Sequence, residues 1–279
     1  MQGLDVNAVA ALIAQVAAEE IQPRFRKLAD HERREKAPGD IVTIADEQAE
    51  AKLIPLLTAH VPNSIVVGEE GAAKDPNLVK RLSAGQIAWI VDPVDGTANF
   101  AEGKPDFCSM VALVEGDELI ASWIHLPTTG ETMIAERGAG ATFAGKRLPK
   151  MAPDAANPMG VIGVGKLSSP ELNRKADILR KQVRQIKSLR CAGLDYLRMA
   201  RGELDFILFG RAWPWDHAPG ALLIAETGGV ASHADGSPYR PSRALVAQGV
   251  LSARSPHVWQ YILSRLDPQA ALDLGREQQ

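Results

Sequence analysis

The stretch WIVDPVDGTANF, from Trp89 to Phe100, places two carboxylates directly after an apolar run. Asp92 follows the apolar residues, and Asp95 stands three positions later. Carboxylates at the end of a buried strand lose hydration, and two of them close together repel each other. The stretch therefore predicts a buried strand whose carboxyl end needs a compensating positive charge.

Acidic residues border apolar runs elsewhere in the chain as well. Glu69 and Glu70 follow SIVV, residues 64–67, after one glycine, and Asp216 opens DHAPGALLIAETGG after AWPW. Ligands of open α/β sheets gather at the carboxyl ends of the strands, so these acids are expected to converge. Each acid taken alone also fits a blander role, such as Asp216 at a helix N-cap or a solvated carboxylate elsewhere.

A divalent cation would relieve both the repulsion and the lost hydration of these carboxylates. All the candidate ligands are oxygens, and no Cys–His grouping lies nearby, which favours Mg²⁺ or Mn²⁺ over zinc. His217, next to Asp216, is interpreted as a structural residue rather than a ligand.

Gly96 and Thr97 follow the second carboxylate of the opening stretch. Glycine lets the backbone approach a ligand closely, and amides at the start of a short helix over GTANF suit phosphate oxygens. Cations beside such a group of amides are the parts that phosphoryl transfer requires. The alternative is an ordinary Asp–Gly turn with Thr97 as a cap.

Composition limits the class of protein. The chain has 279 residues, 46% of them hydrophobic, and a formal net charge of −3, which suits a soluble globular protein. The charge gives no overall basic field for a nucleic acid or an anionic membrane, so a membrane partner is not expected and a nucleic acid is disfavoured. Two cysteines, an N-terminus without a basic signal-peptide region and the absence of an 18-residue apolar run favour a cytoplasmic location.

Periodicity and turn residues predict a mixed α/β chain. Helices are predicted over Val6 to about Leu28, Asp46–His60 with a kink or late break at Pro55, Asn77–Leu82, Pro170–Val183, Leu194–Ala200, Asp216–Thr227 and Pro256–Leu266. Strands are predicted over Ser64–Val67, Gln86–Pro93, an antiparallel meander from Phe107 to Phe143, Gly160–Val164, Gln185–Leu189, Leu204–Leu208, Gly228–His233 and Ala244–Gly249.

The two halves differ in pattern. The first is rich in antiparallel strands, and the second alternates strands with helices, which indicates a layered α/β architecture. We expect a single domain over residues 1–279, with subdomains of about 1–149 and 150–279 that meet at the turn-rich segment Pro149–Pro158.

At this point the motifs resemble a known family, the inositol monophosphatases, which are Mg²⁺-dependent, lithium-sensitive phosphomonoesterases. VGEEG, WIVDPVDGTANF and WDHAPGALLIAETGG resemble its three metal-site segments in order and separation, and GDIVTIADEQAE is similar to the segment that supplies an aspartate behind the ligands. The likeness runs from about Val6 to Ala253. It implies a layered αβαβα sandwich assembled as a homodimer, with two to three Mg²⁺ ions.

The resemblance also implies a role for each matching residue. The first ion would be held by Glu69, Asp92 and the Val94 carbonyl, the second by Asp92, Asp95 and Asp216, and a third by Glu69 with waters. Catalysis would be in-line attack of a metal-activated water, with Glu69 and the pair Asp46 and Thr97 as the catalytic residues. Substrate contacts would come from Asp95, Gly96, Thr97 and Asp216.

Specificity is where the chain departs from the family pattern. Phe209 stands where many relatives carry an acid that binds substrate hydroxyls, and RCAGLDY, residues 190–196, replaces a G-S/T-A-A turn. An altered pocket for a charged substrate is predicted, although surface ion pairs would explain the charged residues equally well. The candidate specificity residues are Glu70, Arg190, Asp195, Phe209 and Arg211.

Several alternatives stay open at this stage. The substrate resembles inositol 1-phosphate, or is instead histidinol phosphate, fructose 1,6-bisphosphate or 3′-phosphoadenosine 5′-phosphate. The basic segment Arg174–Arg190 also suits an RNA- or RNA-polymerase-associated factor, or simply a solvated helix face. Trp213 and Trp215 fit a pocket wall, a dimer contact or core packing. Cys191 lies beside Arg190, which would lower its thiol pKa, but it is interpreted as structural.

Overall fold

The computed structural model describes residues 4–37, 40–150, 157–165, 168–244 and 249–267. The helices of these residues are α1 (Val6–Val16), α2 (Ile44–His60), α3 (Glu69–Lys74), α4 (Asn77–Lys80), α5 (Thr97–Ala101), α6 (Pro170–Arg180), α7 (Ala192–Ala200), α8 (Pro214–Glu226) and α9 (Pro256–Leu266). A π-helical turn, Ala17–Ile21, and 3₁₀ turns at Gln22–Arg24, Asp30–Glu32, Arg81–Ala84 and Pro241–Arg243 accompany them.

The strands of the described residues form three sheets. They are β1 (Arg33–Ala37), β2 (Asp40–Thr43), β3 (Ile65–Gly68), β4 (Ile87–Asp95), β5 (Cys108–Glu115), β6 (Glu118–Leu126), β7 (Glu131–Glu136), β8 (Gly140–Phe143), β9 (Lys146–Arg147), β10 (Met159–Gly163), β11 (Arg184–Gln185), β12 (Phe206–Phe209), β13 (Val230–His233) and β14 (Val250–Ala253). A seven-stranded sheet has the order β3-β4-β5-β6-β7-β8-β9, a five-stranded sheet the order β11-β10-β12-β14-β13, and β1 pairs with β2.

The central strand β4 is buried on both faces, and alternate residues pack against different layers. Trp89 and Val91 pack with α1 and α2 on one face, whereas Ile90 packs towards α8 on the other. Trp123 on β6 joins the first cluster and donates its indole N–H to the Val6 carbonyl at 2.9 Å. The apolar residues before Asp92 therefore lie in the middle of the fold, with a hydrophobic cluster on each face of β4.

The hydrophobic clusters between helices and sheets define five layers. Helices α7 and α8 lie between the two large sheets, where Ile124 of β6 packs with Tyr196 and Ile207. Helices α6 and α9 cover the outer face of the five-stranded sheet, where Leu208 packs with Ile262. The αβαβα sandwich is confirmed, and so is the antiparallel meander, which is β5 to β9.

Some predicted boundaries were wrong. The first helical stretch ends at Arg24, and the strand predicted over Gln185–Leu189 is only Arg184–Gln185. Helix α2 ends at His60 as predicted and continues through Pro55, but it starts at Ile44 rather than at Asp46. Helix α8 starts at Pro214, because proline suits the first helical turn, so Asp216 lies inside that turn rather than at the N-cap.

Two predictions fall partly outside the described residues. The strand predicted over Ala244–Gly249 includes residues 245–248, and the strand that closes the sheet is Val250–Ala253. The seam between the subdomains includes residues 151–156, and the division into 1–149 and 150–279 stays a prediction. Among the described residues, none of the helices combines the length and the apolar character needed to cross a bilayer.

Candidate metal centre

Parallel pairing brings the first two acids to one edge of the seven-stranded sheet. Strands β3 and β4 are parallel, and Gly68 at the end of β3 pairs with Val91. The next residues along the two strands, Glu69 and Asp92, therefore leave the sheet side by side. The carboxyl edge that the sequence predicted is thus the edge where these acids meet.

A residue missed by the sequence analysis, Glu50, holds the start of α3. Its two carboxylate oxygens accept the amides of Glu70 and Gly71 at 2.9 and 2.7 Å. A Cβ at Gly68 would lie 2.3 Å from this carboxylate, so the close approach requires glycine. A sequence signal existed, because Glu50 lies one helical turn after Asp46 and shares its face.

A bulge in β4 separates the two aspartates of the opening stretch. Asp92 pairs with Met110 and Asp95 pairs with Cys108, so three steps on β4 match two on β5. Asp92 Oδ1 accepts the Val94 amide at 3.0 Å inside this bulge. The Val94 carbonyl is left on the cleft side, where Thr97 Oγ1 lies 2.8 Å from it.

The third acid comes from α8, across the cleft. Asp216 stands in the first turn of that helix, and one carboxylate oxygen of each of Glu69, Asp92 and Asp216 lies within 4.8 Å of the others. His217 is buried, with its ring nitrogens 3.0 Å from the Arg211 carbonyl and 3.2 Å from the Tyr196 hydroxyl. This environment agrees with the structural role predicted for His217.

The electrostatics of the cluster are unfavourable without a cation. Burial, followed by repulsion from Glu69, Asp95 and Asp216, raises the pKa of Asp92 well above its ordinary value. Burial and repulsion from Glu69 likewise raise the pKa of Asp216. An all-oxygen set of crowded carboxylates fits a hard divalent cation, since such an ion compensates both the charge and the lost hydration.

Lys36 of β1 also contacts the acids, and the sequence analysis did not single it out. Its Nζ lies 2.7 Å from Glu69 and 3.0 Å from Glu70. The ammonium of Lys36 supplies one positive charge, which is less than the combined negative charge of the carboxylates around it. Its position on the short β1–β2 sheet depends on tertiary contact, so the basic run RREK gave no usable signal.

Asp46 and Thr97 form a hydrogen-bonded pair behind the cluster. Asp46 Oδ2 accepts the amide of Thr43 at 2.8 Å and its hydroxyl at 2.5 Å, while Oδ1 lies 3.0 Å from Thr97 Oγ1. Complete burial is the main cause that raises the pKa of Asp46 to about 7. The Asp46 carboxyl can therefore gain or lose a proton near neutral pH.

Asp95 has a different environment from the other three acids. Its Oδ2 accepts the Gly193 amide at 2.6 Å and lies 3.1 Å from the sulfur of Cys191. Burial raises the pKa of Asp95, while these donors act in the opposite direction.

The prediction that Arg190 lowers the thiol pKa of Cys191 was wrong. Burial raises the pKa of this thiol well above its ordinary value.

Most of the predicted site residues line one cleft of about 900 Å³, and Asp46 lies behind its lining. The lining includes the candidate metal and phosphate ligands Glu69, Asp92, Val94, Asp95, Gly96, Thr97 and Asp216, together with Arg190, Arg211, Trp213 and Trp215. The rings of Trp213 and Trp215 are stacked 5.3 Å apart. Trp215 belongs to a buried cluster against which Trp213 packs, so the two residues combine the pocket-wall and core-packing interpretations.

Three candidate specificity residues lie outside the cleft lining. Asp195 is buried and binds Ser188 at 2.6 Å and Arg198 at 2.9 Å. Phe209 packs against the His217 ring at a centroid distance of 5.3 Å, and Glu70 is paired with Lys36. We therefore withdraw these three from the substrate contacts, because other partners engage them.

The fold and the site define an αβαβα protein with a group of carboxylates, able to hold a cation, at the carboxyl edge of its larger sheet. The chain belongs to the inositol monophosphatase family, whose model matches residues 4–268. This membership makes the protein a phosphoric monoester hydrolase, as the motif resemblance predicted.

Individual relatives carry different names. A Thermotoga maritima protein named fructose-1,6-bisphosphatase/inositol-1-monophosphatase is 32% identical over 205 residues, which cover 72% of this chain and 75% of that protein. The Nus factor SuhB of Pseudomonas aeruginosa is 30% identical over 251 residues, covering 87% and 88%. The solved structure of a Thermotoga maritima IMPase matches with a TM-score of 0.75 at 24% identity, covering 96% of this chain and 98% of the other, and supports the fold.

Proposed function

We propose that the protein is a Mg²⁺-dependent phosphomonoesterase that hydrolyses a small phosphorylated metabolite of the inositol 1-phosphate type. The observation that carries the proposal is the convergence of Glu69, Asp92 and Asp216 within 4.8 Å, beside the pair Asp46 and Thr97. Two divalent ions in such a site act as Lewis acids on phosphate oxygens and make a water more acidic. Glu69, Asp92 and the Val94 carbonyl would hold one ion, and Asp92, Asp95 and Asp216 the other, with Glu69 and waters holding a third.

The catalytic work of the chain itself is assigned to Asp46 and Thr97. Thr97 Oγ1 has one hydrogen and two acceptors in reach, Asp46 at 3.0 Å and the Val94 carbonyl at 2.8 Å. When the hydrogen points to Asp46, the lone pairs of the hydroxyl oxygen would orient an attacking water. Asp46 can accept the proton because its pKa is about 7. The amides of Gly96 and Thr97 would bind the phosphate, and the φ of 88° at Gly96 turns the backbone towards α5 in a way that glycine allows.

Two arginines in the lining of the cleft support a substrate with a second negative group. Arg190 and Arg211 both line the cleft; Arg190 also lies 3.7 Å from Glu102, and the charge of Arg211 acts on Asp216. Guanidinium groups bind phosphate oxygens in a fixed two-point geometry. A sugar bisphosphate such as fructose 1,6-bisphosphate is therefore proposed beside inositol 1-phosphate, and the name of the Thermotoga maritima relative couples both activities.

A phosphomonoester panel tests the proposal. Purified protein would be incubated with Mg²⁺ and inositol 1-phosphate, fructose 1,6-bisphosphate, histidinol phosphate or 3′-phosphoadenosine 5′-phosphate, and released phosphate would be measured. Hydrolysis of at least one substrate that stops in EDTA and returns with Mg²⁺ is expected. Equal release in EDTA, or a fully active Asp95→Asn variant, would contradict the cation mechanism.

An RNA- or RNA-polymerase-associated role is the second candidate, because one relative is a Nus factor. The structure favours the solvated-face explanation for the basic segment. Lys175 binds Asp267 at 2.8 Å and Glu171 at 3.1 Å, and Arg180 binds Asp177 at 2.6 Å, so acidic neighbours neutralise much of α6. Retention on RNA that falls steeply with salt would support this role instead.

The homodimer, the lithium sensitivity and the cytoplasmic location stay predictions.

A further inference from the structure

Two buried cysteines meet beside Asp95, although the proposed hydrolysis needs no nucleophilic thiol. Cys108 begins β5, and Cys191 precedes α7. Their sulfurs lie 3.6 Å apart, and both side chains are buried. The contact therefore joins the larger sheet to the middle helical layer directly behind a candidate metal ligand.

Resting on the proposed function, we propose that Cys108 and Cys191 are positioning residues for the metal site. Together with the Gly193 amide, their thiols hold Oδ2 of Asp95 and thereby direct Oδ1 towards the cation. The proposal gives the reduced cysteines a task in metal binding and none in bond making.

Three donors converge on the same carboxylate oxygen. The Gly193 amide nitrogen is 2.6 Å from Asp95 Oδ2, Cys191 Sγ is 3.1 Å from it, and Cys108 Sγ is 3.7 Å from it. Each thiol has one hydrogen, which Cys191 can donate to Asp95 Oδ2, to the Asp95 carbonyl at 3.5 Å or to the sulfur of Cys108, and which Cys108 can donate to Asp95 or to the sulfur of Cys191. The contact of Cys191 with Asp95 Oδ2 is the shortest of these. A carboxylate fixed through one oxygen keeps the other in a defined direction, as partners behind metal ligands commonly do.

The packing around the sulfurs leaves little freedom. A Cβ on Gly193 would lie 2.5 Å from Cys108 Sγ, and a Cβ on Gly96 would lie 3.1 Å from the Cβ of Cys191. The amide of Gly193 can approach Asp95 only because the residue has no side chain. Asp95 is thus held by elements from both halves of the chain.

Metal binding without substrate tests the proposal. The full chain and its C191A, C191S, C108A and C108S variants would be titrated with Mn²⁺ and followed by the electron paramagnetic resonance of free Mn²⁺. We expect C191A to weaken Mn²⁺ binding about tenfold, which corresponds to about 1.4 kcal/mol. C191S should recover most of the affinity because its hydroxyl donates in the same direction, and C108A should have the smaller effect because its sulfur is farther away.

Controls separate positioning from folding. Met199→Leu changes another buried residue of α7 outside this contact and should leave Mn²⁺ affinity unchanged. If C191A does not fold in EDTA, C191V replaces it, since valine fills the space without a donor. Wild-type affinity in the donor-free variant, or a C191S variant as weak as C191A, would overturn the inference.

The outcome can be distinguished from failure of the proposed function. A wild-type protein that hydrolyses phosphomonoesters and binds Mn²⁺ independently of Cys191 overturns the inference alone. Mn²⁺ binding that depends on Cys191, in a protein that releases no phosphate from any ester, overturns the proposed function alone.

Discussion

The segments before residue 150 and those after residue 157 contribute different parts of the cleft. The first part supplies Glu69, Asp92 and Asp95 from the ends of β3 and β4, where strand pairing fixes the acids relative to one another. The second part supplies one acid, Asp216, and a wall that includes Arg190 and Arg211. The acids of the first part belong to a rigid sheet edge, whereas the residues of the wall come from separate segments.

We therefore expect the two parts to have different functions, the reaction itself at the sheet edge and the choice of substrate in the wall. Changes at the sheet edge should abolish the reaction, because cation ligands have no substitute. Changes in the wall should alter the choice of substrate, because they leave the reacting group in place. The two parts depend on each other at two points. Asp216 of the second part joins Glu69 and Asp92 of the first, and the Gly193 amide of the second part binds Asp95 of the first.

The largest effect is expected for Asp92→Asn at the sheet edge. Activity should fall by more than about 100-fold, since changes to residues behind the ligands already cost about 10–100-fold. The asparagine Oδ1 can still accept the Val94 amide, and a neutral group ends the repulsion that raises the pKa of Asp92. The metal-free variant should therefore melt above the wild type at pH 8 in differential scanning calorimetry. A lower melting temperature would contradict the repulsion argument.

Thr97→Val should follow in size. Loss of the hydroxyl removes the contact with Asp46 and should reduce kcat about 100-fold, within the range of general acid–base catalysis. Thr97→Ser keeps the hydroxyl and is the matched control. Equal loss in both variants would indicate a packing role for the residue instead.

The pH dependence of stability should report the buried acids of α2 that lie behind the sheet edge. Burial raises the pKa of Asp46 and Glu50 to about 7 from ordinary values of 3.8 and 4.5. Folding therefore favours their protonated forms, and this stability is lost as pH rises through 7. Buried His125, His217 and His233 have lowered pKa values and act in the opposite direction, mainly below about pH 7, since their ordinary value is 6.5.

The melting temperature in EDTA should consequently fall between pH 6.5 and 8. Mg²⁺ should restore more stability at pH 8 than at pH 6.5, because a cation binds the deprotonated carboxylates. A melting temperature in EDTA that rises across this interval would contradict the burial argument.

The smallest effect is expected for Arg211→Gln in the wall. The kcat/KM for fructose 1,6-bisphosphate should fall about tenfold, the equivalent of about 1.4 kcal/mol, with a lesser change for inositol 1-phosphate. Arg201→Gln is the matched control, because Arg201 lies over the Phe143 ring rather than in the cleft. An equal loss for both substrates would indicate that Arg211 supports the site rather than selecting the substrate.

The predictability of the site from sequence follows the same division. Asp92 and Asp95 could be identified because they directly follow an apolar strand within one short stretch. Glu50 was missed because its task, holding the start of α3, depends on a glycine 18 positions away. Asp195 was a candidate for the pocket with ion pairing as an equal alternative, and its ion pair with Arg198, three residues later, favours the alternative.

Local conformation also escaped the sequence analysis in the second part. Arg190 adopts a φ of 58°, in the left-handed region that non-glycine residues rarely occupy, so no propensity predicts the turn before α7. The layered fold was easier to predict, because strand–helix alternation and the meander appear directly in the apolar pattern.

The most direct measurement is an anomalous difference map from crystals of the full chain soaked in Mn²⁺. The account predicts at least two peaks about 3.5–4 Å apart, bounded by the carboxylates of Glu69, Asp92, Asp95 and Asp216. A map without peaks between these side chains, in crystals that take up Mn²⁺ elsewhere, would contradict it.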